Sequence, residues 1–546
     1  MKKNILIGGA AGQGMKSLSH IIGLALKRHG YYVHTHTVYM SRIRGGHNFF
    51  QIHFSDQPVT THSHKLDTIL ALNQETVDKH KNRLKSDGFV IGDESLSAQG
   101  LLLPSKNQAQ AINHLKGNNI ILLGGLVKAF NLDKKIFLDV LDQVFKNKAL
   151  DLNHRALEIG YNLAQVKVQL PNKTDDNHML INGNQAIALG SIAAGLGVFS
   201  AYPMTPSTSV MNYLLDHEKD MNYKIEQAED EISAIHIAIG ASAAGVRAMT
   251  ASSGGGLSLM VEAIGLTAVS ETPLVIVDVM RPGPATGLPT KTGQSDLSFL
   301  LTASQDEFPR MIIAVKNPED AFYQTIRAFD LADKYQIPVF IISDQYLADT
   351  DLTVDIFKSS HQNNQYLADE HDIDEIYERY KITPSGVSPR IIPGQYNRPV
   401  IADNHEHTET GVISEDPINR TEMHLKRLRK LDTLRKDLIE PDFIGSDKAE
   451  TVLVGFGSTE GAIKSFVKNH PEYCGLVFGD VYPLPLNQLE ALSNKTLINV
   501  ELNATGQLAK LIRMETGIKF DDSILKFDGL QINAEDIKEA LYGKHI

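Results

Sequence analysis

Apolar positions along this chain recur in one order: a short apolar run, a glycine-rich turn, then helical spacing. Asn4 to Ile7 is the first run, GGAAGQG (8–14) the turn, and spacing of three and four predicts a helix from about Met15 to Arg28. YYVHTHTVY (31–39) alternates apolar with polar residues and predicts a strand. IILLGG (120–125) reads as another strand-like run, and alternation of such runs with helical segments predicts an α/β unit ending near the polar linker PNKTDDNH (171–178). A second unit repeats this logic. There LVIVDVM (274–280) and PVFIISD (338–344) are apolar nearly throughout, the pattern of parallel strands buried on both faces. Periodicity weakens from Leu352 to Ser446, a long connection containing one charged surface helix, TEMHLKRLRKLDTLRKDLIE. TVLVGFGSTEGAIKSFV (451–467) and TLINVELNATGQLAKLI (496–512) then restore the strand, turn and helix order. The pattern predicts three α/β units without a short-period repeat.

Composition narrows the chemistry. The 546 residues carry a net charge of −12, which argues against a nucleic-acid binder. The single cysteine, Cys474, excludes an intrachain disulfide and fits a reducing compartment. One thiol also cannot ligate an iron–sulfur cluster, so redox chemistry requires a partner or another cofactor. The start, MKKNILIGGAAGQGMK, has too short an apolar core for a signal peptide and runs into Gln13, Gly14 and Lys16. The small/apolar run around Ala186 to Ala201 is too short to span a bilayer. A soluble cytoplasmic protein is expected, without nucleic-acid or membrane partners.

Three stretches carry candidate chemistry. GGAAGQG follows a strand and precedes a helix, where free N–H groups suit phosphate. It is not a G-x-G-x-x-G, and no Asp or Glu occurs from Met1 to Ser55, so the ribose-binding acid of a dinucleotide site is missing. The same stretch holds Lys2, Lys3, Lys16, Lys27, Arg28, Arg42 and Arg44. Two readings stay open: a packing turn with an interface for an acidic partner, or a site for a phosphate-bearing ligand such as coenzyme A at Gly12, Gly14, Arg42 and Arg44. The second stretch, EQAEDEISAIHIAIGASAAG (226–245), places Glu226, Glu229, Asp230 and Glu231 in its expected first turn, where the helix dipole favours carboxylates. Small residues at Ala234, Ala238 and Gly240 follow on one side. That spacing resembles the pyrimidine-side helix of thiamine diphosphate enzymes, in which a glutamate hydrogen-bonds a ring nitrogen of the cofactor. The third, FSAYPMTPSTSV (199–210), is either a proline-set strand-to-helix turn or an anion site.

AYPMTPST (201–208), QAEDEISAI (227–235), TASSGGGLSLMVEAIG (250–265) and VMRPGPATGLPTKTGQSDL (279–297) together resemble the α subunit of 2-oxoacid:ferredoxin oxidoreductases. ILIGGAAGQGMKSL (5–18) and YMSRIRGGHNFFQIHFSD (39–56) resemble the γ subunit, and DNHEHTETGVISEDPINR (403–420) with VELNATGQLAKLI (500–512) resemble later α-subunit segments. The resemblance covers nearly the whole chain, as a fused γ–α polypeptide. It implies a multi-domain α/β fold: a γ-type domain over 1–178, a pyrimidine-type thiamine-diphosphate domain over 179–352, a connection over 353–446 and a transketolase C-terminal-like domain over 447–546.

By the same resemblance, Glu231 activates thiamine diphosphate, with Tyr202 and Pro203 beside the cofactor. Thr205 positions the 2-oxo acid and Arg281 binds its carboxylate. Met204 stands where the family commonly has isoleucine. No G-D-G motif for Mg²⁺ and diphosphate is present, nor the cysteines of a 4Fe-4S cluster; both are implied on a separate β subunit. The implied reaction is oxidative decarboxylation of a 2-oxo acid to an acyl-CoA, with ferredoxin or flavodoxin as electron acceptor and an (αβ)2 assembly. The fused arrangement and PTKTGQSDL point to 2-oxoglutarate, with Lys291 a candidate for its distal carboxylate, and pyruvate or branched 2-oxo acids as alternatives. A non-catalytic scaffold subunit and a nicotinamide dehydrogenase are the rival classes. Retention of Thr205, Glu231 and Arg281 opposes the first, and the missing ribose acid opposes the second.

Overall fold

The computed structural model describes residues 1–41, 45–146, 148–171, 177–492 and 494–543. The chain divides into two compact units.

The first unit comprises Met1–Asn182, Asp349–Ile356 and Asn533–Glu539. Its sheet is built from β1 (Lys2–Ala11), β2 (Tyr32–Val38), β3 (Gly45–Ser55), β4 (Leu66–Ala71), β5 (Leu84–Asp93), β6 (Gly100–Leu103), β7 (His178–Ile181) and a late strand, Leu352–Asp355. The strand order is β6-β5-β4-β1-β3-β2, then Leu352–Asp355, then β7. β1, β4, β5 and β6 run parallel, whereas β3 pairs antiparallel with both β1 and β2. The predicted helix is present as Met15–Arg28, buried through Leu18, Ile21, Ile22 and Leu26. IILLGG, however, is helical, lying inside Asn118–Ala129. A short apolar run alone does not separate a strand from a buried helix. The deciding feature is glycine: a Cβ on Gly124 would sit 2.1 Å from the Leu157 carbonyl oxygen, and one on Gly160 1.8 Å from that of Ile121. These two helices therefore pack backbone to backbone.

The second unit holds Gly183–Ala348, Phe357–Ile532 and the end of the chain. Its larger sheet contains β8 (Val198–Ala201), β9 (Lys224–Gln227), β10 (Ala248–Ser252), β11 (Leu274–Met280), β12 (Met311–Ala314) and β13 (Pro338–Asp344), with Asp480–Tyr482 at one edge. From that edge the order is β12-β13-β11-β10-β8-β9, and these six strands are parallel. Every residue of β11 and β13 is buried, as their apolar runs predict. A five-stranded sheet carries the last predicted strands, Thr451–Phe456 and Thr496–Glu501, adjacent and parallel. One apolar core joins the two sheets, with Ile276, Met280 and Phe340 packed in the same cluster as Val454, Phe456 and Leu476. The multi-domain α/β class read from the sequence is the one observed.

The charged helix of the connection spans Pro417–Leu434, and one of its faces is buried. Lys426 and Lys430 both reach the fully buried Glu271 at 2.6 Å. Arg379 donates to the Glu271 main-chain oxygen at 2.7 Å. This segment is a clamp on the core rather than a solvated helix.

Candidate active site

Three parallel strands, β8, β10 and β11, lie side by side, and the candidate residues gather at their carboxyl-terminal ends, where open α/β sheets bind ligands. β8 ends at Ala201 and the chain turns through Tyr202-Pro203-Met204-Thr205 into the helix Thr208–His217. Three bonds hold the turn. Ser207 Oγ donates to the Met204 oxygen at 2.7 Å, and the buried Asn184 donates through Nδ2 to the Pro206 oxygen at 2.9 Å and to Ser209 Oγ at 2.7 Å. The Thr205–Pro206 peptide is cis. Tyr202 and Thr205 are exposed, and Pro203 is half-buried.

Arg281 follows the last residue of β11. Its Nη1 donates to the main-chain oxygen of Thr205 at 2.7 Å. Thr205 and Arg281 are in contact through the threonine's carbonyl, and Thr205 itself is exposed.

Glu231 opens the helix Glu231–Ala243, which packs on β8 and β10. The acidic start differs from the sequence reading. Glu226 belongs to β9, Glu229 lies between strand and helix, and Asp230 is the N-cap, accepting from the Ser233 N–H at 2.7 Å. Capping by Asp230 relieves Glu231 of that duty. Glu231 is 3% exposed, yet its Oε1 has no hydrogen-bond partner among the described residues. Beside it runs the turn from β10, Ser252-Ser253-Gly254-Gly255-Gly256. A Cβ on Gly256 would fall 2.0 Å from Ser252 Oγ and 2.7 Å from Glu231 Oε1. Glycine is required there for the turn to lie against the carboxylate. On the outer side of the helix, Ile232 and Ile237 are exposed and a Cβ at Gly240 would meet nothing.

Among the described residues, the hydroxyls of Ser252 and Ser253 are buried without hydrogen-bond partners, as are both carboxyl oxygens of Asp278 and Oδ2 of Asp296. None of these four was singled out in the sequence. Asp278 left a signal, being the one charged residue in LVIVDVM; the serines and Asp296 left none. Burial pushes the Asp278 carboxyl well above its usual range, with Asp296 adding to the effect, and Asp296 itself is raised to about 6, chiefly by burial.

Gly12 and Gly14 both have positive φ, 91° and 75°, and Gly14 caps the Met15–Arg28 helix without a side-chain bond. Arg42 and Arg44 lie outside the described residues. Lys291 is half-buried, its stem against Gly529, and burial lowers its amine below the usual lysine value. Among the described residues no helix is long and apolar enough to cross a membrane.

The site is a buried carboxylate at a helix start, with no hydrogen-bond partner for one oxygen among the described residues, faced by a glycine-rich segment at the ends of parallel strands in an α/β domain. The comparisons agree: residues 189–425 match the family "Pyruvate flavodoxin/ferredoxin oxidoreductase, thiamine diP-bdg", and residues 4–163 match "Pyruvate ferredoxin/flavodoxin oxidoreductase". A 2-oxoacid:ferredoxin oxidoreductase subunit alpha from Sulfolobus is 30% identical over 99% of this chain and 96% of its own length. A 2-oxoglutarate synthase subunit KorA from Methanocaldococcus jannaschii is 33% identical over 59% of this chain and 88% of its own. The solved 2-oxoglutarate:ferredoxin oxidoreductase of Magnetococcus marinus, with 2-oxoglutarate, coenzyme A and succinyl-CoA bound, superposes with a TM-score of 0.92 at 30% identity, covering 100% of this chain and 99% of that one. This chain belongs to the α subunits of the 2-oxoacid:ferredoxin oxidoreductases, a family of oxidoreductases, and carries the thiamine-diphosphate-binding family match over residues 189–425.

Proposed function

We propose that this chain is the fused γ–α subunit of an enzyme that oxidatively decarboxylates 2-oxoglutarate to its acyl-CoA. A β subunit would supply Mg²⁺, a 4Fe-4S cluster and the route to ferredoxin or flavodoxin, in an (αβ)2 assembly. The observation that carries this reading is the buried Glu231 Oε1, without a hydrogen-bond partner among the described residues, in the same sheet unit in which Arg281 bonds the Thr205 carbonyl. The full-length likeness to a protein holding 2-oxoglutarate favours that acid over pyruvate.

Each residue then has one task. Glu231 holds a proton between its free oxygen and a ring nitrogen of the aminopyrimidine. Bound thiamine diphosphate supplies the carbon nucleophile and the electron sink for loss of CO₂. Arg281 presents a planar fork to the 2-oxo acid carboxylate, a geometry a lysine cannot reproduce. Its bond to the Thr205 carbonyl sets that fork and leaves the Thr205 hydroxyl for the keto oxygen. Tyr202 and Pro203 wall the cofactor side. Coenzyme A phosphates are assigned to Gly12, Gly14, Arg42 and Arg44 in the amino-terminal unit. The exposed Ile232 and Ile237 with the bare Gly240 suit an apolar partner surface, that of the β subunit.

The test is dye reduction by the co-expressed complex across several 2-oxo acids, with 2-oxoglutarate expected to give the highest kcat/KM. Glu231→Gln should abolish turnover while leaving subunit assembly intact. Near-normal turnover in that variant, or a clear preference for pyruvate, overturns the corresponding part of the reading.

A further inference from the structure

The turn that carries Thr205 is fixed from beneath by a buried side chain, Asn184. Three consecutive main-chain oxygens of the turn are each taken by a different side chain. Ser207 Oγ donates to that of Met204, Arg281 Nη1 to that of Thr205 and Asn184 Nδ2 to that of Pro206, at 2.7, 2.7 and 2.9 Å. Asn184 Nδ2 also donates to Ser209 Oγ at 2.7 Å, in the first turn of the helix Thr208–His217. Asn184 is fully buried, and Pro206 and Ser207 are buried as well, so Thr205 stands exposed on a buried base. A carbonyl only accepts, so the amide nitrogen of Asn184 must face Pro206. Its Oδ1 is left buried with no hydrogen-bond partner among the described residues. Burying an acceptor unmet is unfavourable, so the side chain is placed for the turn rather than for its own bonding. It also reaches the turn from a firm platform, as the second residue of the helix Gly183–Ala193. A Cβ on Gly183 would fall 2.9 Å from the Leu347 carbonyl oxygen, and one on Gly190 2.5 Å from that of Phe322. The helix therefore lies backbone against backbone at two points and has little room to shift.

We infer that Asn184 is a positioning residue that sets Thr205 and Arg281 for the 2-oxo acid. This rests on the proposed roles of those two residues toward the keto oxygen and the carboxylate. Asn184 acts through the Pro206 carbonyl, one peptide beyond Thr205, and through the start of the following helix. With the Met204 and Pro206 oxygens both held, the Thr205 carbonyl between them is presented to the Arg281 guanidinium in one orientation. Without the Asn184 bonds the turn relaxes about its remaining ties, the acceptor of Arg281 moves, and the fork loses its aim. A misplacement of about 1 Å caused away from the chemistry is enough to cost up to about 100-fold in rate. The loss falls on the 2-oxo acid. Coenzyme A, assigned to the amino-terminal unit, is spared.

The experiment compares Asn184→Leu, close in shape and without a donor, and Asn184→Ala with the wild type in the assembled complex. Both variants should lower kcat/KM for the 2-oxo acid by about 10-fold, chiefly through KM. The KM for coenzyme A should stay within about 2-fold of wild type. In an Arg281→Lys background, where the fork is already lost, the same Asn184 change should cost under about 3-fold. In the full chain alone, the Thr208 and Val210 amides, which bond the Met204 and Ser207 oxygens, should exchange about 10-fold faster, with β11 unchanged. An unchanged kcat/KM for the 2-oxo acid in both variants would overturn the inference. So would equal losses for the 2-oxo acid and coenzyme A, full additivity with Arg281→Lys, or wild-type exchange at Thr208 and Val210. If the wild type turns over no 2-oxo acid, the functional reading fails instead, and the exchange still reports whether Asn184 holds the turn.

Discussion

Replacing Glu271 by glutamine tests how the 353–446 connection is held. Lys426 and Lys430 are fully buried, each 2.6 Å from a different oxygen of Glu271. The two ammonium groups hold the Glu271 carboxyl well below its usual range, and burial pushes Lys430 down to about 7. Glutamine keeps the shape and removes the counter-charge. Breaking a buried pair from one side costs about 3–5 kcal/mol. The assay is hydrogen exchange in the helix Pro417–Leu434, whose amides should lose protection by roughly 150- to 4,000-fold. The pH signature is specific. Lys430 has a folded value below its unfolded one, so from about pH 7 to about 10.5 the unfolded chain carries a proton the folded chain lacks, and stability rises with pH in that window. Removing Glu271 lowers the folded Lys430 value further, so the glutamine variant's deficit is fullest below about pH 7 and should shrink as pH rises through it. Replacing Glu271, Lys426 and Lys430 together by leucine and two methionines should cost far less than the single change. A loss of protection under about 5-fold in Glu271→Gln, or a deficit independent of pH, would show that this cluster is not a charge clamp.

Two other perturbations follow from the same geometry. Gly256→Ala forces a methyl to within 2.0 Å of Ser252 Oγ and 2.7 Å of Glu231 Oε1, so thiamine diphosphate binding by the complex, measured calorimetrically, should be lost while circular dichroism is retained; wild-type affinity would refute the close approach. Acidification should loosen the first unit: burial holds His34, His53 and His62 below the usual imidazole value and, with Arg83, pushes His80 down to about 3. Below about pH 6.5 the unfolded chain binds protons at these rings that the folded sheet does not, so each lowers stability by roughly 1.4 kcal/mol per pH unit, His64 alone opposing through Asp536. Exchange of the β2 and β3 amides, corrected for intrinsic rates, should therefore accelerate from pH 7 to 5, and a flat profile would refute it.

What the sequence made legible was what the chain states locally. Glycines and prolines punctuated strands and helices at 12–14 and 202–206, although Gly8 and Gly9, read as part of the first turn, lie inside β1, and unbroken apolar runs marked β11 and β13 as buried. What it hid was partnership across the chain. IILLGG gave no sign that Gly124 meets a helix more than thirty residues on. The charged helix gave no sign that Lys426 and Lys430 turn inward, since a lysine's spacing does not say whether an acid waits for it. Nor could local pattern reveal that Leu352–Asp355 returns to pair with β7 and β2. Asp278 was legible in retrospect, because a single acid in a fully buried strand must either find a partner or lose its charge.

That alternative separates structural from functional acids in the second unit. Asp480 is gripped by Arg327 through two 2.7 Å bonds and accepts from the Ile439 N–H. Asp333 pairs with Arg247 at 2.7 Å and Arg390 at 2.9 Å. Glu501 accepts from Asn503 Nδ2 and from the N–H groups of Leu508 and Ala509. Glu271 has its two lysines. Among the described residues, the carboxyl oxygens buried without hydrogen bond or ion pair belong to Glu231, Asp278 and Asp296. Glu231 lies against Gly256 and Asp296 against Gly254, both just after β10, and Asp278 in β11 is in register with Ser252 at the end of β10. A fold that satisfies its buried acids everywhere else and leaves these three unmet keeps their bonding capacity for what enters the site, or for a proton. The unmet acids therefore trace the site more sharply than any single motif.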